Sequence, residues 1–140
     1  MTRVDFYVLK DSAASKRLDF VCRLTQKAHA SGSKVYIAVD TREQAEALDQ
    51  RLWSFKPESF VAHDCQGNEL TGAPVHIGYS DEGADHHDLL INLCHEVPPF
   101  FSRFQRLAEV VCQEDKVLST TREHYTFYRH RGYPIETHNL

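Results

Sequence analysis

Two kinds of apolar pattern alternate along this chain. Residues 4–9, VDFYVL, form a short β-rich run, and residues 13–31 place Leu18, Val21, Cys22, Leu24, Thr25 and Ala28 at helical spacing. The pair predicts a strand followed by an amphipathic helix, with Gly32 as a natural stop. Residues 34–39, KVYIAV, are almost continuously apolar, the pattern of a strand covered on both faces in a parallel sheet. Asp40 or Thr41 then caps a second helix that sets Ala45, Leu48, Leu52 and Trp53 on one side.

Beyond Pro57 the runs shorten. Residues 58–63 read as a brief extended piece, and the polar stretch 64–74 reads as a loop. Residues 75–79 and 88–93 are further strands, separated by the acidic segment 80–85. The Pro98-Pro99 pair breaks the chain before a helical turn around residues 100–104, and residues 106–112 read as the last core strand. Glu114 and Asp115 stand where a helix N-terminus favours negative charge, and a basic helix runs from there to about Arg131, ended by Gly132. Two early strand–helix units followed by more alternation predict an α/β sandwich with a mainly parallel sheet and right-handed crossovers. No repeat, low-complexity segment or internal boundary interrupts the pattern, so residues 1–140 are expected to form a single domain.

Composition narrows the function classes. The chain has 140 residues, 41% of them hydrophobic and 26% charged, which suits a globular fold with a sizeable core. Its first apolar run is too short for a secretory signal, and no stretch approaches the ~18 apolar residues of a membrane span. The expected location is the cytoplasm. Cys22, Cys65, Cys94 and Cys112 form no CxxC pair, and in a reducing compartment they read as small apolar core residues.

An open parallel sheet invites a nucleotide at the carboxyl ends of its strands. The glycines, at 32, 67, 72, 78, 83 and 132, make neither GxGxxG nor GxxxxGK[ST], so the sheet lacks nucleotide-binding loops. There is no GxSxG elbow and no HExxH. Nine histidines keep one rival open: a small α/β enzyme or metal-binding domain using His63, Cys65, His86 and His87. Solvated loop histidines are the plainer reading of the same residues.

The C-terminal region carries the most specific chemistry. In residues 122–133, REHYTFYRHRGY, basic and aromatic side chains interleave, and Arg122, Tyr125 and Arg129 at i, i+3 and i+7 share one helix face. Residues 116–131 carry a net charge of +3 in a chain of −4, leaving −7 for the remainder. That imbalance argues against a broad phosphate-gripping face for duplex DNA. A single cationic stripe with an aromatic floor suits a carboxylate or an acidic peptide, although an ordinary solvated helix face would share the pattern.

Several segments taken together carry a resemblance. Phe6-Tyr7-Val8-Leu9, the block GSKVYIA at 32–38, Gln44-Ala45 through Leu48-Asp49 and Leu52-Trp53 come first. ESFVAH at 58–63, GAPV at 72–75, and Arg122-Glu123-His124-Tyr125 with Tyr128-Arg129 and Gly132 follow. In this order, over nearly the whole length, they resemble the chi subunit of the bacterial DNA polymerase III clamp-loader complex. The Leu-Trp pair followed by Glu-Ser-Phe-Val-x-His is the most specific part.

The resemblance implies a Rossmann-like three-layer sandwich and a non-catalytic accessory subunit without cofactor or metal, polymerase activity belonging to the holoenzyme. It implies two partners: the psi subunit of the clamp loader, and the acidic, phenylalanine-terminated C-terminal tail of single-stranded DNA-binding protein (SSB). DNA would be reached only through these, at the replisome on the nucleoid, and no membrane is involved. For the tail, Arg122, Tyr125, Tyr128 and Arg129 match the family's C-terminal helix, and Val111 matches an apolar position before it. Leu118 stands where the family pattern calls for a lysine, with Lys116 as the candidate replacement. For psi, the matching aromatic positions are Trp53 and Phe60; packing of Trp53 into the core is the alternative.

Overall fold

A computed structural model describes residues 1–55 and 61–140. The elements are β1 (Arg3–Val8), α1 (Ala14–Ala30), β2 (Val35–Ala38), α2 (Arg42–Ser54), β3 (His63–Cys65), β4 (Val75–Gly78), β5 (Leu89–Asn92), a 3₁₀ turn (Phe101–Arg103), β6 (Arg106–Val111), α3 (Asp115–His130) and β7 (Ile135–Asn139). The seven strands form one sheet in the order β3-β4-β2-β5-β6-β1-β7, and every pairing is parallel. The sheet is thus wholly parallel where the sequence suggested mainly so.

Parallel strands require crossovers, and the right-handed rule lets the direction of travel choose the face. Chain steps toward the β3 edge place α1 and α2 on one side of the sheet. Steps back toward the β7 edge place residues 79–88, the 3₁₀ turn and α3 on the other. Two cores result. On the first side Val21, Cys22, Ala45 and Leu48 meet Ile37, Ile77, Ile91 and Val110. On the second Tyr128, Phe101 and Phe104 meet Val4, Phe6, Leu90 and Leu107. This is the three-layer α/β sandwich expected.

Local chemistry sets the element ends. Thr41 caps α2 by accepting from the Gln44 N–H at 3.2 Å. At the end of α3, Gly132 takes φ +76°, and the Tyr133 N–H reaches back to the Tyr128 carbonyl at 3.2 Å. Gly78 ends β4 against the Tyr36 hydroxyl, which donates to Asp81 Oδ1. An added Cβ would strike that pair.

The structure corrects one sequence assignment and adds a strand. Half of the extended piece at 58–63, residues 58–60, lies outside the described residues, and the strand there runs His63–Cys65, taking Asp64 and Cys65 from the supposed loop. Asp64 is buried because its carboxylate accepts from Thr71 N, Thr71 Oγ1, Gly72 N and Ala73 N at 2.7–3.0 Å, so a polar letter hides an internal position. Residues 106–112 hold the last core strand but not the last strand, since β7 pairs with β1 beyond α3. As an edge strand with the sequence IETHN it has no buried residue, and so it offered no apolar run to read.

Candidate functional site: a groove between helix α3 and the sheet edge

The site begins with what holds α3 in place. Glu109 on β6 is 4% exposed and gathers three side chains. The Tyr128 hydroxyl donates to its Oε2 at 2.7 Å, Asn92 Nδ2 donates to the same oxygen at 2.9 Å, and His124 Nδ1 lies 3.1 Å from both oxygens. His124 Nε2 reaches the His95 carbonyl at 2.7 Å. Burial would lower the His124 pKa, but the hydrogen bond and charge of Glu109, with the His95 carbonyl, raise it above the ordinary value. Burial and the Glu109 charge keep the Tyr128 phenol protonated. One polar node thus fixes two successive turns of α3 and its rotation about its own axis.

That rotation turns Arg122 and Tyr125 outward over the edge of the sheet. Between them and β1 and β7 lies a groove of about 330 Å³, lined by Phe6, Val8 and Thr137 below and Thr121, Arg122, Tyr125 and Thr126 at the side. Its lining is mainly apolar. Tyr125 is 38% exposed, and its ring sits 5.5 Å from that of Phe6. A closed cavity of about 150 Å³ accepts benzene, so the groove has room for one aromatic side chain. Arg122 supplies a cation at its rim.

The other expected residues divide between surface and core. Arg129 is exposed on the same stripe, one turn beyond Tyr125 and outside the groove lining. Tyr128 at 0% and Val111 at 1% exposure are core residues, offering a partner no surface of their own. Leu118 packs against the second core, and Lys116 is exposed in the first turn. Helical geometry sets Lys116 about 160° around the axis from Leu118, so it does not refill that position on the stripe. Phe6, Val8 and Thr137 were missed because they come from the far end of the chain and from the unread strand β7. The alternation of Val4, Phe6 and Val8 along β1 was the available signal for two of them.

On the opposite side of the sheet, Trp53 projects from α2, 49% exposed, with its ring 4.5 Å from that of His63. It is therefore no core tryptophan. Phe60 lies outside the described residues. His63 is buried, with Nδ1 2.9 Å from the Val61 carbonyl and Nε2 2.9 Å from Asp49 Oδ1.

The rival set His63, Cys65, His86 and His87 does not converge. His86 contacts the Pro74 carbonyl, and burial, the largest of several influences, lowers its pKa. Burial pushes the Cys65 thiol up to about 11, far from thiolate chemistry at neutral pH. Among the described residues, the one group of three ligand-type side chains close enough to share an ion is Asp5, Glu136 and His138.

Comparison with known proteins finds similarity along nearly the whole chain. Residues 1–136 match the family described as DNA polymerase III chi subunit, HolC. The DNA polymerase III subunit chi of Pseudomonas aeruginosa is 43% identical over 140 residues, covering 100% of this chain and 98% of that protein. Its counterpart in Haemophilus influenzae is 33% identical, covering 96% of this chain and 95% of the relative. That of Escherichia coli K12 is 32% identical, covering 98% and 97%. With a match that runs from the first strand into the last, this chain belongs to the DNA polymerase III chi subunit family.

Proposed function

We propose that this chain is a non-catalytic adaptor of the bacterial replisome, acting in the cytoplasm, which binds the acidic C-terminal tail of SSB on its α3 face and the psi subunit on its α2 face. The observation that carries the first half is the groove itself: a mainly apolar slot wide enough for a phenyl ring, with Arg122 at the rim and Arg129 about two turns along. The tail's terminal phenylalanine fills the slot over Phe6 and Tyr125, and its carboxylates meet the two guanidinium groups. Tyr128 and Val111 act from behind, as the packing that sets the helix against the sheet. Lys116 contributes only long-range attraction, which salt screens.

The second half rests on Trp53, an exposed aromatic on the opposite side of the sheet from α3. Two faces so separated can be occupied together, as linking two partners requires. Phe60, seven residues further along and outside the described residues, is the second aromatic that the resemblance assigns to this partner.

The test is a titration of the protein with a short acidic peptide ending in Asp-Phe, against the same peptide with its terminus amidated. The free acid should bind and the amide bind much more weakly. Arg122→Ala should cost about 1.5–3 kcal/mol of affinity, the usual worth of a hydrogen bond to a charged group, with a shallower salt dependence and an unchanged melting temperature. Equal binding of peptide by wild type and Arg122→Ala would move the site elsewhere.

A further inference from the structure

The seventh strand carries the sheet past the helix that covers it. On the α1 side, α1 packs over β2 and β6, while the strip formed by β1 and β7 presents Asp5, Tyr7, Glu136 and His138. Between α1 and this strip runs a groove of about 650 Å³, twice the volume of the α3 groove and on the other side of the sheet. Its floor is aliphatic, made by Leu9, Leu24, Ala28 and Leu89. Its walls are cationic: Arg23 and Lys27, one turn apart on α1, and Arg106 from β6.

The charge beneath the groove decides what it can accept. Asp5 is 1% exposed, and its Oδ1 lies 3.1 Å from His138 Nε2. Its Oδ2 makes no hydrogen bond and sits 3.5 Å from Arg3 Nε and 3.6 Å from an Arg106 amino nitrogen. Asp5 and Glu136, with oxygens within 4.8 Å of one another, thus set two carboxylates beside the two guanidinium groups, and the unmatched charge of the groove is that of Arg23 and Lys27, which make no ion pair among the described residues. Asp5, Glu136 and His138 are near enough to hold an ion, but a metal there would face both guanidinium groups at close range. The surplus calls for an anion.

The rings argue against a nucleic acid. Tyr7 is stacked on His138 at 4.7 Å and tilted against Phe20 at 5.4 Å, and Arg23 lies over Phe20, so these aromatics are already engaged where a base would stack. Aliphatic floor, cationic walls and the neighbouring outer edge of β7, which among the described strands pairs with β1 alone, fit an extended chain with acidic and aliphatic side chains. We infer that this groove is a second docking site, taking an acidic, leucine- or isoleucine-bearing peptide segment of a partner protein. Its carboxylates meet Arg23, Lys27 and Arg106, and its aliphatic side chains lie on Leu24 and Leu140. It lies across the sheet from the α3 groove, so both can be filled at once.

The test uses the full chain, isotope-labelled for NMR, and an acetylated, C-terminally amidated octapeptide alternating Glu or Asp with Leu or Ile. Amidation removes the free carboxylate that the α3 reading requires. Shift changes are expected at Leu24, Lys27, His138 and Leu140. The exposed pair Arg23→Glu/Lys27→Glu should weaken binding about tenfold or more, with the melting temperature and the binding of the Asp-Phe peptide unchanged. No binding at millimolar peptide, shifts confined to α3, or affinity surviving the charge reversal would overturn the inference. So would an oligothymidylate that fills the groove when the peptide does not. The shift map needs no variant and decides on its own.

Discussion

Tyr128→Phe separates the two roles that a residue on α3 can have. The change deletes one oxygen and leaves the ring, which packs edge-on against Phe101 at 5.6 Å and Phe6 at 6.1 Å. What is lost is the 2.7 Å hydrogen bond to buried Glu109, whose carboxylate keeps Asn92 and His124 as partners. Hydrogen bonds to charged groups are worth about 1.5–3 kcal/mol, and two surviving partners favour the lower half of that range. In a chain of this size each kcal/mol moves the melting midpoint by about 3–5 °C, so a drop of roughly 5–10 °C is expected by calorimetry or circular dichroism. Affinity for an Asp-Phe peptide, measured well below the midpoint, should change less than twofold, because Tyr128 is fully buried. A variant that melted like wild type but lost the peptide would show that the hydroxyl faces the ligand and that the Glu109 node does not anchor α3.

Three further outcomes follow from buried polar groups and one exposed ring. Since the His124 pKa is raised on folding, its contribution to stability is complete below the unfolded value of about 6.5 and lost as pH rises through the folded one. The melting midpoint should therefore fall across that window, more steeply in wild type than in His124→Gln; equal slopes would remove His124 as the cause. Burial alone would raise the Asp64 pKa, but its hydrogen bonds from residues 71–73 lower it, so its contribution is present above about pH 4 and lost as pH falls through the folded value. Asp64→Ala should cost about 2–3 kcal/mol at neutral pH and soften the acid transition in urea melts, and a neutral-pH loss below ~0.5 kcal/mol would refute the tether. Trp53→Ala should abolish co-purification with psi while preserving tail-peptide binding. A half-exposed tryptophan puts less than the ~3–5 kcal/mol of a core site at risk, so loss of both functions would mean that Trp53 supports the fold instead.

The sequence alone determined the frame. Near-continuous apolar runs such as KVYIAV can be satisfied only by a strand covered on both faces, and the spacing of Val21, Cys22, Thr25 and Ala28 only by a helix with one buried side. These patterns are local, and they placed α1, β2, α2, β4, β5 and α3 within a few residues of their ends. The stripe of Arg122, Tyr125 and Arg129 was legible for the same reason, as a helix repeats its face every three to four residues. Tertiary structure alone decided which side of that helix is wet. His124 and Tyr128 are polar enough to pass for surface residues, yet they are buried because Glu109, fifteen and nineteen positions earlier, accepts their hydrogen bonds. Strand β7 was invisible because an edge strand draws its stability from pairing with β1, more than a hundred residues away, and needs few apolar letters of its own. Both grooves depend on that strand. Their walls join residues from the two ends of the chain, a proximity set by the order in which seven parallel strands cross over, which no local pattern encodes.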